Sequence, residues 1–290
     1  MLTHLEPVTS RSQRITRIIV RFLGYGILGI TVIVSLYPVI MMIINSFKVR
    51  AEIFRNPAGL PQNWTLYNYA NIFNLHSGLL QNFVNSVVIS LASTLIAVFL
   101  CSLGAYAFAK YHFKGRELIF AILLGTMMVP GEIIIPGQYI MFAHMGWLNT
   151  LRVMILPGAV SVFGLFFIRQ YMLTVPTELI EAAWVDGAGH FKTFWSIMLP
   201  ASIPALGAYA IMHFMGSWND YLWPMMVATK KEVQPIVVVL PQLVDTKIGF
   251  VPEWGLIMAG CVLSTLPIIG VFLAFQDWFL QSIVIGAVKG

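Results

Sequence analysis

Charge is what this chain lacks most. Only 10% of its 290 residues are Asp, Glu, Lys or Arg, where a soluble domain carries roughly a quarter. With 58% hydrophobic residues and a mean hydropathy of +0.82, so little charge cannot clothe a water-soluble globule. The solvent is mostly lipid. Cysteine is nearly missing as well: Cys101 and Cys261 fall inside apolar runs without metal-ligand spacing, which reads as packing rather than redox or metal chemistry. The chain has no Gly-x-x-x-x-Gly-Lys-Ser/Thr phosphate loop, so it does not hydrolyse ATP itself. It also lacks His-Glu-x-x-His and the Gly-x-Ser-x-Gly nucleophile turn. No catalytic residue, metal site or cofactor is therefore expected in this chain.

What is present is a series of long apolar runs. A helix needs about 20 apolar residues to cross a hydrocarbon core of about 30 Å. Six runs meet that length: Phe22–Ile44, Phe83–Phe108, Leu118–Tyr139, Leu151–Met172, Ala201–Met226 and Gly255–Phe275. The expected fold is all-α and integral to the membrane, with six transmembrane helices. The first run is too long for a signal-peptide core and no small-residue cleavage site follows it, so it is expected to stay as an anchor. No long internal repeat or low-complexity segment interrupts the series.

Lys and Arg set the orientation. With the N-terminus inside, the tight clusters Arg11, Arg14, Arg17 and Arg21, and Lys110, Lys114 and Arg116, all fall on the inner side. Arg169, Lys192 and Lys289 join them, while the other seven basic residues are outside. An even number of spans puts both termini in the cytoplasm. The scatter of basic residues at the ends of apolar runs fits topology, not a phosphate-binding patch, and excludes nucleic acid as a partner. The chain thus divides into a cytoplasmic segment over 1–21, a membrane domain over 22–280 and a cytoplasmic tail over 281–290. Residues 47–81, rich in Pro, Asn and Tyr, read as a short external cap.

Polar residues inside the spans are few. Glu132 lies about 22 Å along the third span at 1.5 Å per residue, between Pro130 and Pro136, which are expected to open the helix. A carboxylate at that depth must face a cavity, a partner helix or freed backbone groups. It either satisfies the broken helix or lines a pathway. His213 reads as an inter-helix hydrogen-bonding residue, with a proton relay as the alternative. Trp218-Asn219-Asp220-Tyr221-Leu222-Trp223-Pro224 ends the fifth span. Its aromatics suit a membrane-interface belt; with Asn219 and Asp220 they equally suit a sugar ring, which offers apolar C–H faces and hydroxyls.

The segment Pro176–Pro200 is a polar, small-residue stretch between two apolar spans. It reads as two short helices around Gly187-Ala188-Gly189. Pro176 suits a first helical turn, and Glu178 sits near the positive end of the helix dipole. Ala182 and Ala183 permit close approach to a groove, Gly187 and Gly189 permit chain reversal, and a second helix is expected over His190–Leu199 with the fifth span starting at Pro200. A folded, water-facing element of this kind implies that another protein grips it.

Glu181-Ala182-Ala183, Gly187, Ile197, Leu199 and Pro200 resemble the EAA loop of bacterial ABC-importer permeases. Asn85-Ser86, Ala105-Tyr106-Ala107-Phe108-Ala109-Lys110, Phe113-Lys114-Gly115-Arg116, Trp218-Asn219-Asp220 and the terminal Gly286-Ala287-Val288-Lys289-Gly290 are similar to the carbohydrate branch, and most of all to the maltose-type permease subunit with this tail. The likeness runs from about Ile33 to the end. Gln281-Ser282-Ile283 departs from it where a glycine is usual.

That resemblance implies a type I ABC importer permease of the inner membrane, carrying a sugar, with an oligosaccharide expected and an acidic one such as alginate as a candidate. It implies three kinds of partner besides the lipid bilayer: a second related permease, two ATP-binding subunits that hold ATP and Mg, and an external sugar-binding protein. Glu181, Ala182, Ala183, Asp186 and Gly187 would form the coupling element, with Glu181 paired to a basic residue of the ATPase and Gly187 setting the bend. Gly286, Lys289 and Gly290 would reach between the ATPase subunits, and Glu132, Trp218, Asn219 and Asp220 are the candidate pathway residues. The alternative, an ion- or proton-driven secondary transporter, needs several paired intramembrane charges, and Glu132 is nearly alone.

Overall fold

The computed structural model describes residues 11–75, 78–243, 247–248 and 251–287. Nearly all of them are helical. Three helices are long and apolar enough to cross a bilayer: the first within Arg11–Ser46, the second over Leu79–Lys110 and the last within Trp254–Ala287. Three further crossings arise only if each bent helix pair counts as one span.

The bends have local causes. Arg116–Thr126 and Gly131–His144 meet at 94° across residues 127–130. Pro130 forces the turn there, because its ring disfavours helix in the residue before it and it precedes the first residue of the new helix. Pro136, expected to help open this span, instead sits inside the second helix. Its missing N–H leaves the carbonyl of Glu132 without the usual i+4 donor. Arg152–Ala159 and Val162–Met172 bend by 43° at Ser161. Ser161 is extended, and its hydroxyl caps the new helix by accepting from the Gly164 N–H. His190–Ala201 and Ile203–Trp218 bend by 78° at Ser202, just before Pro204.

Both ends of the fifth span differ from expectation. The fifth span starts at Ile203, not at Pro200, because Pro200 sits in the short preceding helix and Pro204 begins the next. It ends at Trp218, and Leu222–Val227 is a separate short helix. The last helix continues to Ala287, past Phe275 where the sixth apolar run ends.

Leu79–Lys110 is the hub. It packs against both Val162–Met172 and Ile203–Trp218, and the latter packs against the last helix. These contacts need small residues, since helix association in lipid rests on close packing rather than on escape from water. A Cβ on Gly104 would come within 3.0 Å of Leu165, and one on Gly164 would collide with the Tyr209 ring. The first span is different: it touches only the last helix substantially, and the face it turns outward is exposed from Ile19 to Ile40.

The bundle has two distinct ends. At one, residues 47–73 fold over the helices with Arg50–Arg55 and the start of Tyr67–Leu75. The Asn68 amide donates to the Ser46 and Lys48 carbonyls, Lys48 donates to the Asn56 carbonyl at 2.7 Å, and Arg50 pairs with Glu253 at 2.9 Å. Asn82 and Asn85 donate to carbonyls of residues 231–234, and Ser86 accepts from the Ile236 N–H. Asn85-Ser86 thus ties the hub to the loop after the fifth span. At the other end lie Lys110–Arg116 and the 176–200 loop.

Candidate functional site

The loop end is built on one short helix, Glu178–Val185. Ile180 and Ala183 point inward and are buried in a cluster with Tyr106, Met172, Phe194 and Met198, or close beside it. Burying Ile180 alone contributes about 1.5–3 kcal/mol. The opposite face is exposed: Leu179, Glu181, Ala182 and Val185, the last at 88%. Ala182 and Ala183 therefore do different work. Ala183 is small because it packs on its own protein, and only Ala182 is free for a partner.

The helix stops in a Schellman turn. Gly187 has φ +79°, the Ala188 N–H donates to the Ala183 carbonyl at 2.8 Å, and the Gly187 N–H donates to the Trp184 carbonyl at 3.0 Å. Asp186, the residue before Gly187, is exposed. Gly189 does not share the left-handed role expected of it. Its φ is −71° and ψ 164°, an extended conformation open to any residue. The chain then runs through His190–Thr193 and one widened turn over Phe194–Met198.

Two contacts fix this loop to the spans, and a third joins the spans beside it. Lys110 Nζ donates to the Val175 carbonyl at 2.6 Å and lies 3.4 Å from the Thr177 hydroxyl. The Tyr111 hydroxyl bridges His190 Nδ1 at 2.8 Å and Tyr106 at 3.0 Å, with Trp184 packed edge-on against His190. Arg169 donates to the Phe108 carbonyl, lies 4.0 Å above the Phe120 ring and pairs loosely with Glu117. In the sequence Lys110 and Arg169 mark topology, and Lys110 also ends one of the family-like motifs. A basic residue at the end of an apolar run gives no sign of whether it reaches solvent or turns back onto a carbonyl.

The candidate pathway residues separate. Glu132 lies in the first turn of Gly131–His144 and is exposed on this chain. Its charge there complements the helix dipole. Trp218 is neither belt nor sugar platform. It is 2% exposed, stacks on Phe214, meets Phe83 edge-on and donates its indole N–H to the Ser264 carbonyl. Period 3.6 turns it toward the last helix. Asn219 is spent on capping, its amide donating to the Met215 carbonyl. Asp220 alone of this trio faces a cavity.

That cavity, about 350 Å³, lies between the second, fourth and fifth spans. Ser93, Gly158, His213, Ser217, Asp220 and Trp223 line it. His213 accepts from or donates to Thr94 through Nδ1 at 3.2 Å, and Nε2 meets the Gly158 carbonyl at 2.9 Å. A carbonyl only accepts, so Nε2 carries the proton and Nδ1 takes the Thr94 hydroxyl's. His213 is thus the inter-helix hydrogen bonder expected. The Ser93 and Ser217 hydroxyls meet at 3.1 Å. Serines on two different spans left no pattern in the sequence that paired them.

Lys289 and Gly290 lie outside the described residues, and Gly286 is part of the last helix's backbone. Among the described residues no group of His, Cys, Asp and Glu is placed to hold a metal.

The chain is similar to known transport proteins along most of its length. The profile of the family "Binding-protein-dependent transport system inner membrane component" matches residues 101–285. The arabinooligosaccharides transport system permease protein of Bacillus subtilis is 34% identical over 88% of this chain and 91% of its own length. The lactose transport system permease protein of Rhizobium radiobacter is 32% identical over 91% and 95%. The crystal structure of a bacterial ABC transporter involved in import of the acidic polysaccharide alginate superposes with a TM-score of 0.81 at 26% identity, covering 94% of this chain and 100% of that one. The ion-driven alternative falls with these matches. The chain belongs to the family of inner membrane components of binding-protein-dependent transport systems, as the permease subunit of an ABC-type sugar importer.

Proposed function

We propose that this subunit forms half of an oligosaccharide pathway and receives the force of ATP hydrolysis through the Glu178–Val185 helix. The observation that carries this reading is the helix's two-sided construction. One face is packed into the permease while Glu181, Ala182 and Val185 are left bare. In this reading a cleft of an ATP-binding subunit takes the bare face, Glu181 pairs with a basic residue there, and Asp186 and Gly187 set the exit of the chain. The ATP and Mg belong to the two ATP-binding subunits. Gly286, Lys289 and Gly290 reach between them, which requires both termini in the cytoplasm, as the basic clusters near Arg11 and Lys110 favour.

A second related permease completes the pathway, and an external sugar-binding protein docks on the cap end. Within the family, the placement is maltose-type, supported by the Asn85-Ser86 pair, the 105–116 segment and the terminal pentapeptide. An oligosaccharide cargo is supported by the arabinooligosaccharide and lactose permeases among its relatives.

Glu181→Lys and Gly187→Asp test the socket. Each is expected to abolish sugar uptake and co-purification of the ATPase while the permease still accumulates in the membrane. Normal uptake by either variant would remove the basis for this reading.

A further inference from the structure

We infer that the segment after the Schellman turn, His190–Ala201, is an interfacial anchor that lays Phe191 and Trp195 into the lipid leaflet at the loop end. The lipid contact needs only that the spans cross a bilayer. Its bearing on force transfer rests on the reading of Glu178–Val185 given above.

The segment carries three rows of side chains. Thr193, Phe194 and Met198 are buried against the bundle. Phe191 and Trp195 make a second row, 63% and 56% exposed, with their rings stacked at 6.4 Å and 17°. Lys192 and Ser196 make a third, exposed and polar. Spacing by three or four residues keeps each row on one side of the turn. An apolar row beside a charged one is how a helix lying in the plane of the interface is built.

Depth follows from Phe99, which lies inside the hub's apolar run and meets the Trp195 ring edge-on at 6.4 Å. A ring touching Phe99 is therefore at membrane level. The occupant follows from the hub's bare side. Val84, Val88, Leu91, Leu95, Phe99 and Leu103 form a continuous exposed stripe, and none of them is small. The hub's buried side carries Ser86, Ser90, Ser93, Ala97, Cys101 and Ala105 instead. Helices that meet in lipid meet on small residues. Bare small residues lie elsewhere in this chain: Gly125, Gly131 and Gly137 on the bent third span are exposed, with nothing within 4 Å of where a Cβ would stand. A second helix fits there, and the stripe with its aromatic ledge is left to acyl chains.

Two polar groups complete the fit. Trp218 and Trp223 each give the indole N–H to a carbonyl of the chain. Among the described residues no acceptor meets that of Trp195. Lipid ester and phosphate oxygens supply acceptors at the headgroup level, where tryptophan gathers with one end apolar and the other wet. Lys192 is exposed and has no ion-pair partner among the described residues, so its long stem can carry the ammonium out to the phosphates. The loop is thus held by Lys110 at the hub and by the leaflet beyond it.

The test uses the complete transporter reconstituted in phosphatidylcholine vesicles. Phe191→Cys carries a methanethiosulfonate nitroxide. The parent treated alike gives the blank, its Cys101 being buried and its Cys261 half-buried. Collision rates are measured with oxygen, which concentrates in lipid, and with a water-soluble nickel chelate. At position 191 oxygen is expected to win by about threefold or more, as at a site roughly 5–10 Å into the acyl boundary. At Lys192→Cys, on the polar row, the chelate is expected to gain relative to position 191. A chelate that dominates at 191 puts the ledge in water and overturns the anchor. Slow collisions with both reagents at 191 mean that protein covers it, and overturn the lipid occupant. Trp195→Phe gives an independent reading by fluorescence in vesicles of brominated phosphatidylcholine. Loss of a quenched emission component is expected, and an unchanged quenchable signal also overturns the anchor. None of these readings moves if the Glu178–Val185 socket fails, which Glu181→Lys reports separately through uptake.

Discussion

Lys110 Nζ lies 2.6 Å from the carbonyl oxygen of Val175, joining the end of the hub helix to the chain three residues before Glu178–Val185 begins. The ammonium is largely buried, so this bond replaces water that the group has lost. A hydrogen bond to a charged group is worth about 1.5–3 kcal/mol. Lys110→Met removes the donor and leaves the Val175 carbonyl bare. Uptake is expected to fall at least about tenfold while the subunits still co-purify and basal ATPase persists, because the loop remains but no longer pulls the hub. Lys110→Arg keeps a cation and should restore part of the uptake. Parallel uptake and ATPase assays on proteoliposomes read both, and full uptake by Lys110→Met would show that the strut carries no force.

Two neighbouring glycines are expected to behave oppositely. Gly187 holds φ +79°, where an L side chain costs roughly 1–2 kcal/mol. Gly187→Val should loosen the Schellman turn and lower uptake. Gly189 is extended, with room for a Cβ, so Gly189→Ala should change stability by no more than about 0.5 kcal/mol and leave uptake near normal. Equal sensitivity at the two positions would mean that the break, not the turn geometry, is what the loop needs.

How much of this was legible follows from what each residue's neighbours in sequence could reveal. Six apolar runs and the exposed loop were readable, because span length and a polar island in apolar sequence are local properties. The bends were half readable. Pro130 marked one, but Pro136 beside it sits quietly inside a helix, and the 78° turn falls at Ser202 rather than at Pro200. Side-chain direction was not readable where the helix is apolar all round. In Ile203–Trp218 no polar face tells which side meets the last helix, so Trp218 read as a surface aromatic although it is a core residue. Pairing across two helices, as of Ser93 with Ser217, leaves no local mark either, and two adjacent alanines in Glu178–Val185 do not themselves say which one packs inward.

Packing makes Gly164 as exacting as any residue in the loop. Tyr209, 2% exposed, lies against its Cα, and its ring has nowhere to retreat within the cluster of Ile168, Met172 and Phe194. Overpacking a tight contact costs typically about 1–3 kcal/mol. Gly164→Val is expected to lower the melting temperature and the yield of monodisperse permease from detergent. Adding Tyr209→Ala should recover much of the loss by making space. Failure of the double variant to improve on Gly164→Val would place the defect in the Ser161 turn instead.

Trp218 separates a structural role from a substrate role. Trp218→Phe keeps a ring against Phe83 and Phe214 but loses the N–H to the Ser264 carbonyl, a net cost of about 0.5–1.5 kcal/mol. Trp218→Ala leaves a cavity and should cost about 3–5 kcal/mol. Thermal melting of the purified complex is expected to rank wild type, Phe and Ala in that order. The relative rates for different neutral sugars should stay the same in wild type and Trp218→Phe, since no sugar reaches the ring. A change in that ranking of sugars without a change in melting would put Trp218 back in the pathway. The buried indole and its bond across to the last helix argue that it holds the fifth and sixth spans together.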